Sequence, residues 1–307
     1  RMPPNNEKQA DLIAGAVALR NQLGTAPGQW LEPEVEGRRR CVMLLPGPPY
    51  EIRPMFDEQC LPRLRERLPQ QFIARRVLRV AMMAESDVDA RVAPVYKAAS
   101  GVQTTILASG GEISLHLSAT AASQQQAECR VEDLAVKLEE ELGDNVFSRG
   151  ESLEQIVGYY LQLKNATIAV SESCTGGMLG ARLTAPPGSS RYFLGGAIVY
   201  SNDMKTLFAN VPPNLIAQYG AVSEQVAAAL AEGVRDETGA TMGVGITGIA
   251  GPTGGTPEKP VGLVFHAVAD DKGTEVVERR FGGDRERIRR FATQQALDLV
   301  RRRLMQA

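Results

Sequence analysis

A chain of 307 residues is longer than one hydrophobic core usually organises, so two or three domains are expected. The formal net charge is only −2, and no apolar run reaches the ~20 residues that span a bilayer, so neither a nucleic-acid partner nor a membrane is indicated. No signal peptide is visible, and Cys41, Cys60, Cys129 and Cys174 form no C-x-x-C pair, which reads as reduced thiols in a cytoplasmic protein rather than a disulfide frame or zinc site.

Residues 1–70 are rich in proline and glycine, with Met2-Pro3-Pro4-Asn5-Asn6, Gly24-Thr25-Ala26-Pro27-Gly28 and Leu44-Leu45-Pro46-Gly47-Pro48-Pro49. Cys41 to Leu45 reads as a short buried strand that Pro46-Gly47 ends in a turn. Lacking an alternating strand–helix series, the segment resembles the tail of a larger α/β domain. Residues 71–148 read as β-α-β-β-α-β, the ferredoxin-like order. In it, Ser86 is expected to cap the first helix, Gly110-Gly111 to turn a hairpin, and Gly143 to stop the second helix.

Residues 149–307 form a third unit, α/β with a mixed sheet. Ser152 and Gln155 make a capping box. The apolar run Thr167 to Val170 then leads through Ser171-Glu172-Ser173-Cys174-Thr175-Gly176-Gly177 into a helix, the parts of an anion cradle. Later strands are expected at Ala197 to Tyr200, Thr241 to Ile246, Val261 to Ala269 and Thr274 to Phe281. A final helix from about Asp284 carries an apolar stripe opposite an arginine-rich face, which reads as solvated apart from Arg285.

Only two histidines exist, His116 and His266, both in alternating strand-like runs, so a histidine triad is disfavoured and lysine becomes the leading base. Ser190 follows the sharp turn Pro186-Pro187-Gly188, while Tyr200 and Lys205 cluster where a strand ends, with Asn202 placed to cap the short helix that carries Lys205. A desolvated lysine has a lowered pKa and deprotonates a serine directly or through a tyrosine hydroxyl. Ser173 and Thr175 are rival nucleophiles, better placed with Gly176 and Gly177 to bond a substrate oxygen or phosphate. Thr247 and Gly248 suit substrate positioning or an oxyanion. The residues alone indicate a phosphate-ligand site with serine-hydrolase chemistry.

The runs SESCTGG, GSSRYFLGGAIVYSNDMK, YGAVSEQV, GITGIAGPTGG and KPVGLV, in this order, resemble the C-terminal domain of the competence/damage-inducible CinA family, which also occurs alone as nicotinamide mononucleotide deamidase. MPPNN, GTAPG and LPGPPYEIRPMF resemble the later half of that family's molybdopterin-binding-like domain, and residues 71–148 its linker domain. The resemblance implies hydrolysis of nicotinamide mononucleotide to nicotinate mononucleotide and ammonia. It puts a Ser-Tyr-Lys set on Ser190, Tyr200 and Lys205, with Ser190 preferred to Ser173, and Ser173, Thr247 and Arg285 near the substrate. It also implies a homodimer and no metal for the amidase. The family's first domain is linked to metal-dependent ADP-ribose pyrophosphatase activity. Its upstream strands and acidic residues are absent, so this chain, opening on Arg1, reads as a truncation in which that activity is lost; a divalent metal is expected only if that site is complete. A nucleotide-binding regulatory protein without catalysis is the remaining alternative.

Overall fold

The computed structural model describes residues 8, 11–68 and 71–306. MPPNN therefore lies outside the described residues. The chain divides into two compact units, one ending at Gln71 and the other beginning at Phe72.

The first unit holds a small antiparallel sheet of β1 (Val17–Leu19), β2 (Gly28–Leu31) and β5 (Val42–Leu44), beside the hairpin β3 (Glu34–Val35) and β4 (Arg38–Arg39). Its helical segment runs through α1 (Pro49–Met55), a π turn at Phe56–Cys60 and α2 (Leu61–Arg67). Leu19, Trp30, Met55 and Cys60 form its core. β5 exposes Val42 and Leu44, against the expectation of a buried strand; it is an edge strand, and only one side of it pairs.

The second unit opens with β6 (Phe72–Ala81), α3 (Glu85–Ala98), β7 (Val102–Ser109), β8 (Glu112–Ala121), α4 (Gln124–Leu142) and β9 (Val146–Ser148). The antiparallel order β7-β8-β6-β9 is the ferredoxin-like arrangement. Ile113, Leu115, Leu117 and Ala119 alternate inward on β8 and meet Val131, Leu134 and Leu138, which recur at helical spacing on α4. Ser123 caps α4 through the Gln126 N–H at 3.2 Å. Ser86 caps nothing: α3 already begins at Glu85, behind the uncapped Ala84.

The same unit continues through α5 (Leu153–Leu163), β10 (Ile168–Glu172), α6 (Met178–Thr184), β11 (Phe193–Ile198), α7 (Asn202–Ala209), α8 (Pro213–Tyr219), α9 (Glu224–Thr238), β12 (Met242–Gly248), β13 (Leu263–Asp270), β14 (Gly273–Arg280) and α10 (Arg285–Met305). The sheet order is β11-β10-β12-β13-β14; the first three strands are parallel and the last two antiparallel. α9 packs on the sheet with α7 and α8 beside it, and α10 packs on the sheet with α5 and α6, which gives an α/β sandwich with a mixed sheet. From β10 the chain crosses to β11 on one side, then returns past it to β12 on the other. That makes the end of β10 a topological switch point, the place where open α/β sheets hold ligands. Among the described residues, no helix is long and apolar enough to cross a membrane.

β11 starts four residues before the strand expected at Ala197. Gly195 and Gly196 lie within the strand. A Cβ on Gly196 would overlap the Val170 carbonyl oxygen of β10, so glycine there permits close approach of the two strands.

Candidate functional site

The site is best built outward from β10. Its last residue, Glu172, is buried, and its carboxyl group accepts the N–H groups of Gly177 (3.1 Å), Leu179 (3.0 Å) and Gly180 (2.8 Å). The cradle foreseen for an incoming anion is therefore filled by the chain's own carboxyl group. Gly176 and Gly177, expected to bind substrate, instead supply the left-handed backbone (φ 60° and 94°) that folds the loop over Glu172. The Gly176 N–H closes a turn on the Ser173 carbonyl at 3.2 Å.

Ser173 stands at the switch point. Its N–H bonds the Ile246 carbonyl of β12 at 3.0 Å, and it is 8% exposed. Its Oγ has no hydrogen-bond partner among the described residues. Thr175 is fully buried, with no partner for its hydroxyl among the described residues, which removes it as a nucleophile that a substrate could reach. Cys174, between them, is buried, and that burial pushes its thiol up to about 12.

On the neighbouring strand, the Val199 N–H bonds the Glu172 carbonyl at 2.8 Å, so the chain leaves β11 alongside Ser173. Lys205 lies one turn into α7, whose cap is Ser201 (Oγ to the Met204 N–H, 3.3 Å) and not the expected Asn202. Lys205 is 2% exposed, and its Nζ donates to the Val199 carbonyl at 3.1 Å, with Tyr200 and Ser201 carbonyls at 3.4 and 3.5 Å. Burial holds its pKa below the ordinary lysine value; Cys174 opposes this only as a thiolate. At neutral pH that thiol is protonated, so desolvation prevails.

Tyr200 is exposed at the mouth of the site. Its hydroxyl accepts from Arg285 at 2.8 Å, and Lys205 reaches only its carbonyl, so the structure couples this phenol to an arginine and not to the base. Arg285 also bonds the Gly251 carbonyl at 2.8 Å, which fastens the Gly/Pro loop. Thr247 is buried, and its hydroxyl is committed to the Ala221 carbonyl at 2.7 Å. A Cβ on Gly248 would meet Val264 Cγ2 at 2.7 Å, so that glycine serves packing between β12 and β13. Lys259, which the sequence reading passed over, donates to the Tyr219 and Val222 carbonyls at 2.7 Å each and holds the same loop as Thr247.

Ser190 is not part of this assembly. It is exposed, in a single 3-10 turn (Ser189–Arg191) that enters β11 at the opposite end from Lys205. The Tyr192 carbonyl just after it accepts from Ile168, the first residue of β10. The five steps from Phe193 to Ile198, at about 3.3 Å each, separate the two ends of β11 by roughly 17 Å, too far for a serine–lysine contact. The structure therefore does not bring Ser190 to Lys205; the serine at the end of β10 is Ser173.

The arginine-rich face of α10 also departs from expectation. Arg289 is half-buried and donates to the Cys174 carbonyl at 3.1 Å and the Thr175 carbonyl at 2.7 Å. Arg301 is buried against Asp298.

Comparison with known proteins agrees with these motifs. Residues 150–304 match the family model described as CinA C-terminal domain, and residues 75–148 match the Damage-inducible protein CinA KH domain. A CinA-like protein of Koribacter versatilis is 61% identical over 99% of this chain and 74% of its own length. A putative competence-damage inducible protein of Moorella thermoacetica is 45% identical over 99% of this chain and 72% of its own. A solved structure, the competence/damage inducible protein CihA from Agrobacterium tumefaciens, is 34% identical, with a TM-score of 0.47, over 49% of this chain and 94% of that one. On the family models and the relatives that match nearly its whole length, this chain belongs to the CinA family.

Proposed function

We propose that the chain is a nicotinamide-nucleotide amidase that uses Ser173 as nucleophile and Lys205 as general base. The observation that carries this reading is the desolvated Lys205 amine, anchored on the Val199 carbonyl, while the Val199 N–H bonds the carbonyl of Glu172, the residue before Ser173. A lysine whose pKa is lowered by burial is populated as the free amine needed to take a serine proton.

In the first step Ser173 Oγ attacks the carboxamide carbon of nicotinamide mononucleotide, and its proton passes to Lys205. The tetrahedral intermediate collapses as the C–N bond breaks and Lys205 returns the proton to the leaving nitrogen, releasing ammonia. Water then attacks the ester carbonyl with Lys205 again as base, Ser173 regains its proton, and nicotinate mononucleotide departs. Arg285 keeps guanidinium N–H groups beyond the two bonds it makes, and these suit the 5′-phosphate. The tyrosine it holds forms the wall beside the substrate.

The test is ammonia release from nicotinamide mononucleotide without added metal. Ser173→Ala and Lys205→Met are each expected to lower kcat by at least ~10³-fold with the fold retained, as loss of a nucleophile or its base does elsewhere. Ser190→Ala should stay within about twofold. Abolition by Ser190→Ala, or no product from the native chain, would overturn the proposal.

A further inference from the structure

The side chain that fixes the nucleophile's turn comes from the far end of the sequence. Ser173 to Gly176 form a turn closed by the Gly176 N–H on the Ser173 carbonyl. The carbonyls of its two central residues, Cys174 and Thr175, both point to Arg289, which bonds one through Nε and the other through Nη2. In a trans peptide the N–H opposes the C=O, so gripping two successive carbonyls sets the rotation of both peptide planes. The third plane, between Ser173 and Cys174, is set by the turn bond, and the Cys174 N–H donates to no oxygen among the described residues. Gly176 fits the arrangement: a Cβ there would lie 3.2 Å from Arg289 Nη2, tighter than ordinary contact, so a larger residue would push the guanidinium aside. Arg289 makes no bond to a carboxylate among the described residues; its two bonds go to the turn.

We infer that Arg289 is a positioning residue for the amidase reaction: it clamps the Ser173–Gly176 turn so that the Ser173 hydroxyl and the Cys174 N–H keep the orientation needed in the transition state. This rests on the reading of Ser173 as nucleophile. Neutral carbonyls accept charge-assisted bonds from a forked donor here, and lysine presents only a point charge, so the two side chains are not equivalent. A clamp acting on the nucleophile affects kcat, whereas one acting on ground-state binding affects KM.

The experiment compares native protein, Arg289→Lys and Arg289→Met for kcat, KM, and inhibition by pyridine-3-boronic acid, a probe that forms a tetrahedral adduct with a serine. The expected result is a kcat loss of ~10- to 10²-fold in Arg289→Met and a smaller loss in Arg289→Lys, against oxyanion-type donors worth ~10²–10³. KM should stay within about twofold, and boronate affinity should fall in parallel with kcat. Unchanged kcat, a rise in KM alone, or boronate affinity unaltered while kcat falls would overturn the inference. Lost activity with a lowered thermal midpoint in Arg289→Met is resolved by Arg289→Lys, which must fold like the native chain and still lose kcat. If the native chain makes no product, the amidase reading fails first and the clamp falls with it.

Discussion

Burial of Lys205 has two measurable consequences. The free amine is the reactive form, so kcat/KM rises with pH, and because burial lowers the pKa the midpoint lies below the ~10.4 of an exposed lysine. The folded protein also binds this proton less tightly than the unfolded chain. Stability therefore rises with pH between the folded and unfolded pKa values, and below the folded value the whole cost is present. Lys205→Met removes that cost and is expected to raise the thermal midpoint at pH 7 while abolishing turnover; pH–rate profiles and melting curves check both. A midpoint at or above 10.4 would mean that the three carbonyls around Nζ stabilise the ammonium more than burial disfavours it. At this scale the sequence was informative about identity: Ser173 and Lys205 sit in runs whose order is distinctive. It was silent about partners. That Glu172 would fill the cradle depends on the loop's path, and that Arg289 would reach Cys174 depends on a contact 115 residues apart.

The elements were legible where periodicity and end signals agreed, as in α4 with Gly143 as its stop, and in α5 with its capping box. β11 was placed too late: it begins at Phe193, with Gly195 and Gly196 inside it. β12 was placed within two residues, and it packs through glycine. Gly243 and Gly245 face α9, and added Cβ atoms would overlap the carbonyl oxygens of Ala231 and Ala227. The helix backbone thus rests almost directly on the strand, which holds the end of β12 level with β10. Gly243→Ala is expected to cost ~1–3 kcal/mol, the usual range for overpacking, read as a lower urea midpoint. Gly282→Ala, where an added Cβ meets nothing within 4 Å, is expected to fall within ~0.5 kcal/mol. Equal effects of the two would mean that α9 shifts freely on the sheet.

Across the whole second unit, α10 joins two sheets that the sequence treated as separate domains. Its N-terminal half supplies Arg285 and Arg289 to the site, and Phe291 lies 3.3 Å from where a Cβ on Gly111, at the β7–β8 hairpin, would stand. Its C-terminal half is tied to the turn after α4: Arg301 donates to the Asp144 carbonyl at 2.7 Å and Arg302 to Asn145 Oδ1 at 3.0 Å. Asp298 holds both arginines, and Asp298 and Arg301 are 2% and 1% exposed. Amphipathic patterning could not reveal this, since a buried arginine looks in sequence like its solvated neighbours. Removing one partner of such a pair leaves a buried charge uncompensated, so Asp298→Ala is expected to cost ~3–5 kcal/mol. Arg290→Ala, which breaks only the exposed pair with Glu286, should cost less than ~1 kcal/mol. Replacing both members, Asp298→Leu with Arg301→Met, should recover most of the loss, because no stranded charge remains. Denaturant unfolding of Phe72–Ala307 within the full chain provides the check. If Asp298→Ala shifts a transition of the five-stranded sheet and leaves the ferredoxin-like sheet's transition in place, the two sheets do not unfold together and α10 is not the element that joins them.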